Sequence, residues 1–107
     1  MLKVYIASPY TLGDSLVNVN RQIAVAEELR SKDDRILPFW PLQSHYWDQL
    51  YQHDYGFWMK LCIDWLLTMD VLLRLSGDSK GAEKEVKIAK QLGIPVFYSV
   101  DKILRLS

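Results

Sequence analysis

The chain has few of the features that mark secreted, membrane-bound or polymer-binding proteins. It holds one cysteine, Cys62, among 107 residues. One thiol cannot close an internal disulfide, and no Cys/His cluster has the spacing of a zinc site. His45 and His53 lie eight residues apart with no carboxylate cluster beside them, so no metal is expected. No sign of charge prevails: 13 basic residues balance 13 acidic ones, without a long run of either. A neutral chain lacking a basic patch has no electrostatic footprint for a nucleic-acid polymer, although a single nucleotide needs only local donors. No apolar run approaches the roughly 20 residues of a membrane span. The opening residues Met1 to Pro9 are too short an apolar stretch for a signal peptide and are broken by Pro9. A cytoplasmic setting is the expectation. Repeats, linkers and low-complexity segments are missing. So is a P-loop, because Gly77-Asp78-Ser79-Lys80-Gly81 lacks the Gly-Lys-Ser/Thr order.

What remains is a chain half of whose residues are hydrophobic. That suffices for one packed domain over residues 1–107 and for little else. Leu2 to Ala7 reads as a buried strand, short and apolar. Ser8 to Asp14 is a loop punctuated by Pro9 and Gly13. A helix follows from about Leu16 to Ser31, with Val19, Ile23, Ala26 and Leu29 on its apolar face. Arg35 to Phe39 is a second strand. A helix from about Tyr55 to Met69 carries the stripe Trp58, Leu61, Cys62, Trp65, Leu66 and Met69. Asp70 to Leu75 is a third strand, and Lys80 to Leu92 a helix stopped by Gly93. Ile94 to Tyr98 is a fourth strand, and Val100 to Leu106 a short last helix. Strands alternating with helices predict a parallel sheet with helices on its faces. Ligands of such sheets bind beyond the carboxyl ends of the strands, where strand order reverses. The loops after strands one and three, Ser8 to Asp14 and Ser76 to Gly81, belong there.

The helix after strand three contains an anomaly. At about 100° per residue, Ala82, Val86, Ala89 and Leu92 share the buried face. Glu83, Lys84, Lys87, Lys90 and Gln91 point away from it. Glu85 falls within the apolar stripe. A carboxylate on a packing face is costly unless something satisfies it. Near a helix start it gains from free N–H groups and the dipole. Gly77, Ser79, Gly81 and Ala82 are small enough to let a ligand approach the backbone, and Ser79 is a candidate N-cap. Two readings stand: Glu85 is a site residue, or it reaches the edge of the stripe and pairs with a lysine.

Between Trp40 and Phe57 the periodicity is lost. Trp40, Tyr46, Trp47, Tyr51, Tyr55 and Phe57 crowd this segment, which reads as a long loop. Long loops in compact domains are usually functional or interfacial. So small a chain cannot bury all these rings, which favours an interface or a base-stacking wall. Cys62, in an apolar stripe, is expected to be a buried, inert thiol. Lys60 and Asp64, four apart, are expected to pair on the surface.

Three segments together resemble the nucleoside 2-deoxyribosyltransferase-like superfamily, which includes 2′-deoxynucleoside 5′-phosphate N-hydrolases and a branch of small uncharacterised bacterial and phage proteins. They are Val4-Tyr5-Ile6-Ala7-Ser8-Pro9-Tyr10-Thr11; Asp64-Trp65-Leu66 with Asp70-Val71-Leu72-Leu73-Arg74-Leu75; and Ser79-x-Gly81-x-x-x-Glu85 with Ala89 and Gly93-Ile94-Pro95-Val96. The last is the most specific. The resemblance implies an α/β fold, a single-domain flavodoxin- or Rossmann-like three-layer sandwich with a mainly parallel four-stranded sheet. It implies that Glu85 is a nucleophile attacking the anomeric carbon of a nucleoside or nucleotide, as in retaining glycosidases. It implies that Tyr5 is held against that nucleophile, that Ser79 with Gly81 meets the 5′ end of the substrate, and that Ser8 joins the same pocket. No cofactor is expected. The family's aspartate that assists the leaving base aligns with Cys62, a poor substitute for an acid.

The expected function is therefore N-glycosidic bond hydrolysis or transfer on a nucleoside or nucleoside 5′-monophosphate, through a covalent glycosyl-glutamate. Hydrolysis is favoured because no extension for a second base site is visible. The alternative is a non-catalytic nucleotide-binding module on the same fold, motivated by Cys62. A purely structural role is a third, resting on the surplus of aromatics. Relatives imply a homodimer or homotetramer.

Overall fold

The computed structural model describes residues 1–9 and 15–106. Most of the expected first loop, Tyr10 to Asp14, lies outside the described residues. Strands β1 (Leu2–Ala7), β2 (Ile36–Phe39), β3 (Val71–Arg74) and β4 (Val96–Phe97) form one sheet in the order β2-β1-β3-β4, with every pairing parallel. Helices α1 (Ser15–Lys32), α2 (Ser44–Leu50), α3 (Tyr55–Leu66), α4 (Lys80–Gln91) and α5 (Val100–Leu106) complete the described elements. This is the expected three-layer α/β sandwich.

The pleat sorts the central strand between two cores. Val4 and Ile6 point into a cluster with Ala26 and Leu29 of α1 and Ile103 of α5. Tyr5 and Ala7 point the other way, among Leu66 of α3 and Ala82, Val86 and Ala89 of α4. Period-two alternation in a strand covered on both faces makes each of these positions a core position. A fully buried Val, Leu or Ile contributes roughly 1.5–3 kcal/mol. Tyr5 lies opposite Phe39 of β2 and Leu72 of β3. The chain passes from β1 to β2 on one side, then crosses back from β2 to β3 on the other side of β1. The order therefore reverses between β1 and β3, and a crevice opens beyond their carboxyl ends.

Several local expectations are corrected. The segment after Trp40 is not one loop: a 3-10 turn over Pro41–Gln43 leads into α2. Helix α2 buries none of its residues, so it left no apolar period to read. On α3 the buried residues are Met59 and Leu66. Trp65 stays 45% exposed, lying over Phe39 with ring centroids 4.7 Å apart. Leu92 lies past the end of α4 and is exposed. Gly93 follows at φ +75°, where the left-handed conformation favours glycine and ends the helix. Strand β4 is shorter than expected, because only Val96 and Phe97 pair with β3.

On α1 the buried stripe runs through Gln22, 0% exposed, rather than Ile23, which is 47% exposed. The amide explains the exchange. Gln22 Nε2 donates to the Ile6 carbonyl at 3.1 Å and to Ser8 Oγ at 2.9 Å. Its Oε1 accepts from the Leu42 N–H at 3.1 Å. One side chain thus ties together α1, the end of β1 and the 3-10 turn, three pieces that border the crevice. Gln22→Leu keeps the volume and removes these bonds. It should destabilise the fold by about 1–3 kcal/mol, the cost of leaving such a buried group unpaired. The check is a lower urea midpoint at unchanged slope; an unchanged midpoint contradicts the brace.

Candidate active site

Glu85 sits in the second turn of α4, on the face that packs against β1. It is 7% exposed, so helical geometry separated it correctly from Glu83. Its partner is Tyr5, 80 residues earlier, whose hydroxyl donates to Glu85 Oε2. No lysine pairs with it among the described residues. Burial pushes the Glu85 carboxyl up from 4.5 to about 7, while the Tyr5 hydrogen bond and the positive charge of Arg74 pull it down. Burial, and then the charge of Glu85, raise the Tyr5 phenol well above its ordinary value. The phenol therefore remains a donor wherever the carboxylate is ionised.

The loop ahead of α4 is built from small residues and one arginine. Ser79 caps the helix by accepting the Ala82 N–H at 3.1 Å. Gly77 has φ +122°, and a Cβ there would meet Pro9 Cγ at 2.7 Å. The two loops of the crevice therefore touch at a position that only glycine fits. Gly81 lets α3 approach, since a Cβ would lie 3.3 Å from the Tyr55 hydroxyl. Arg74, the last residue of β3, is buried on the same side of the sheet as Tyr5. It donates to the Leu75 carbonyl, to the Gly77 carbonyl at 2.7 Å and to Glu83 Oε1 at 3.0 Å. Ser8 is buried and takes its hydrogen bond from Gln22.

These groups border a cavity of about 660 Å³ that includes Ser8, Ser79, Gly81 and Glu85 in its lining. Tyr5 stands behind Glu85, fully buried. The sequence-derived site residues therefore converge on one place. Cys62 lines the same cavity and is half-buried rather than buried. Burial, and then the charge of Glu85, push its thiol up to about 11. At neutral pH it is a protonated thiol, neither a nucleophile nor an effective acid. Lys60 and Asp64 pair on the outer face of α3 at 3.1 Å, as expected.

Sequence reasoning passed over two further lining or supporting residues besides Gln22. Arg74 was visible only as a charge at the end of an apolar run. Asp48, on α2, lines the cavity beside Trp58. Its Oδ1 accepts from the Trp58 indole N–H at 2.7 Å and from the His53 backbone N–H at 3.2 Å. Trp58 is also packed edge-to-face against Trp47, Phe57 and His53. Of the six rings expected to form a wall or interface, Tyr55 lines the cavity, while Tyr46 and Tyr51 stay exposed; Trp58, expected in the apolar stripe of its helix, lines the cavity as well. Among the described residues no group of three or more His, Cys, Asp or Glu is placed to hold a metal ion. No helix there is long and apolar enough to cross a membrane. The chemistry available is that of a buried carboxylate with a phenol donor at the floor of a pocket walled by an indole.

A family model described as a domain of unknown function, DUF4406, matches residues 2–98. No curated protein matches the sequence. A solved 2-deoxyribosyltransferase from the psychrotolerant bacterium Bacillus psychrosaccharolyticus is similar, at 24% identity and a TM-score of 0.61, over 88% of this chain and 69% of that one. A conserved protein from Enterococcus faecalis V583 is similar at 22% identity and a TM-score of 0.68, over 90% of this chain and 61% of that one. At these identities the likeness is one of fold.

The buried carboxyl gives stability a particular pH dependence. Its folded value, about 7, lies above its ordinary 4.5, so the folded state holds the extra proton between those values. This contribution is full below about pH 4.5 and is lost as pH rises through about 7, a change of about 3 kcal/mol. Glu85→Gln should abolish that slope and be more stable than wild type at pH 8. Urea unfolding of both proteins from pH 4.5 to 8 measures it, and parallel curves contradict the assignment.

Proposed function

The chain belongs to the DUF4406 family and carries the fold of the nucleoside 2-deoxyribosyltransferase-like superfamily, and from that premise we propose that it breaks the N-glycosidic bond of a nucleoside or nucleoside 5′-monophosphate with Glu85 as nucleophile. The observation that carries this reading is the buried Tyr5–Glu85 pair at the edge of a cavity large enough for a small ligand. A carboxylate placed on a packing face and bonded, among the described residues, by a phenol alone is poorly explained by stability. It suits a reacting group.

In this mechanism a Glu85 oxygen forms a bond to the anomeric carbon. The carbon–nitrogen bond breaks, its electron pair passes to the base nitrogen, and the base takes up a proton. A glycosyl ester of Glu85 remains. Water then attacks the same carbon, the ester carbon–oxygen bond breaks, the carboxylate returns, and the water's surplus proton leaves to solvent. Two displacements at one carbon retain its configuration. Tyr5 orients the carboxylate and keeps a fraction of it ionised near neutral pH by opposing the effect of burial. Ser8, Ser79 and Gly81 border the space for the sugar and its 5′ end. Hydrolysis is the favoured outcome over transfer to a second base. The exposed rings of Tyr46, Trp47 and Tyr51 support a homodimer or homotetramer.

Cys62 favours a second reading, a non-catalytic nucleotide-binding module, because a thiol raised to about 11 supplies no acid for the leaving base. That module would show nucleotide-induced thermal stabilisation without turnover.

Free base released from a nucleoside and nucleotide panel separates the two. Glu85→Gln should lower release by at least about 10³-fold; equal release by both proteins sinks the assignment. In wild type, kcat/KM should rise with pH through an apparent pKa near 7, as Glu85 ionises. Tyr5→Phe removes the bond that lowers this value. It should move the limb upward and slow the reaction at neutral pH by roughly 10-fold or more. An unshifted limb contradicts the role given to Tyr5.

A further inference from the structure

The cavity has two chemically distinct ends. Ser79, Lys80 and Lys84 lie at the start of α4, beside the single carboxylate of Asp78, and offer hydrogen-bond donors and a surplus of positive charge. Pro41, Leu42, Ser44, Trp58 and Asp48 form a wall that is apolar and aromatic except for one hydroxyl and one carboxylate. That carboxylate is built in. Asp48 Oδ1 is held by the indole N–H of Trp58 at 2.7 Å and by the His53 N–H at 3.2 Å. Its other oxygen, Oδ2, accepts no hydrogen bond among the described residues. The indole is held in turn by Asp48 and by edge-to-face contacts with Trp47 and Phe57 at 5.1 and 4.8 Å. A locked aromatic face beside an acceptor with one oxygen to spare is a place for a flat heterocycle that presents a donor. Stacking on the ring is indifferent to which base is bound. The carboxylate is not, because it accepts from an exocyclic amino group and repels a carbonyl oxygen in the same position.

We infer that Asp48 is the residue that selects the base, and that the pocket takes nucleosides or nucleotides of amino-bearing bases in preference to their oxo counterparts. This rests on the glycosidase reading for the orientation of the ligand, with the sugar at Glu85 and the base at Trp58. Selectivity itself needs only binding. Among the other described residues there, Pro41, Leu42 and Trp58 have no side-chain acceptor, Cys62 is a neutral thiol, and the hydroxyls of Ser44 and Tyr55 can turn either to donate or to accept, so none of them prefers one base.

The test compares dissociation constants for pairs that differ only in amino against oxo, adenosine with inosine and cytidine with uridine, as 2′-deoxynucleosides and as their 5′-monophosphates. Calorimetry is done on Glu85→Gln, so that turnover cannot consume the ligand, with and without Asp48→Asn. The amino member should bind at least about 10-fold more tightly, the scale on which a site built to pair a polar group rejects a ligand lacking it. Asp48→Asn presents an amide N–H₂ to the ligand and should erase or invert that ratio. Trp58→Phe keeps a ring face but frees Asp48, and should narrow the ratio; it serves if Asp48→Asn does not fold. A ratio near one in the parent, a ratio unmoved by these substitutions, or binding of no pair overturns the inference. Base release by the Glu85 protein is read separately. Selective binding without release sinks the glycosidase reading and leaves Asp48 its role; release without selectivity does the reverse.

Discussion

The burial of Glu85 against Tyr5 is the interaction on which the site depends. A carboxylate that leaves water must be compensated, and here one phenol and a more distant guanidinium do so only in part, so its carboxyl stays up near 7. That incomplete compensation makes the group a weak contributor to stability and a usable nucleophile. Everything nearby serves to hold it there. β1 contributes Tyr5 because its odd-numbered residues face α3 and α4. Helix α4 contributes Glu85 because its start is fixed by the Ser79 cap and by Arg74, which ties the end of β3 to Gly77 and Glu83.

The opposite side of the crevice depends on Gln22. It is an amide in the middle of an apolar helix face, and each end of it is used: one holds Ser8 and the end of β1, the other holds Leu42. Leu42 and Ser8 both line the cavity. The buried polar residues among those described, Ser8, Gln22, Arg74 and Glu85, are thus distributed around one crevice rather than through the core. Such a distribution is what a pocket requires and what a stability-optimised core would avoid.

Much of this was legible in the sequence for identifiable reasons. The alternation of elements announced the parallel sheet. The period of α4 singled out Glu85, because an acidic residue among Ala82, Val86 and Ala89 breaks an otherwise regular pattern. Tyr5 could not be singled out that way: an aromatic in a buried strand looks like core until its partner is known, and only the family resemblance named it. Gln22 was missed because Ile23 beside it satisfied the apolar pattern equally well. Helix α2 was missed because it buries nothing, and with it went Asp48, whose importance comes from a contact ten residues away with Trp58. Local pattern reports which face of a helix is buried. It does not report which polar side chains meet across elements.

Glu85 as a covalent nucleophile is the central claim, and the ester it would form can be seen directly. Wild-type protein mixed with a substrate that it turns over, quenched in acid during steady state and digested, should yield the peptide containing Glu85 with the mass of one glycosyl residue added. The adduct should vanish when the substrate is exhausted. Base release with no such adduct on any peptide, or with the adduct on a residue other than Glu85, would contradict the account.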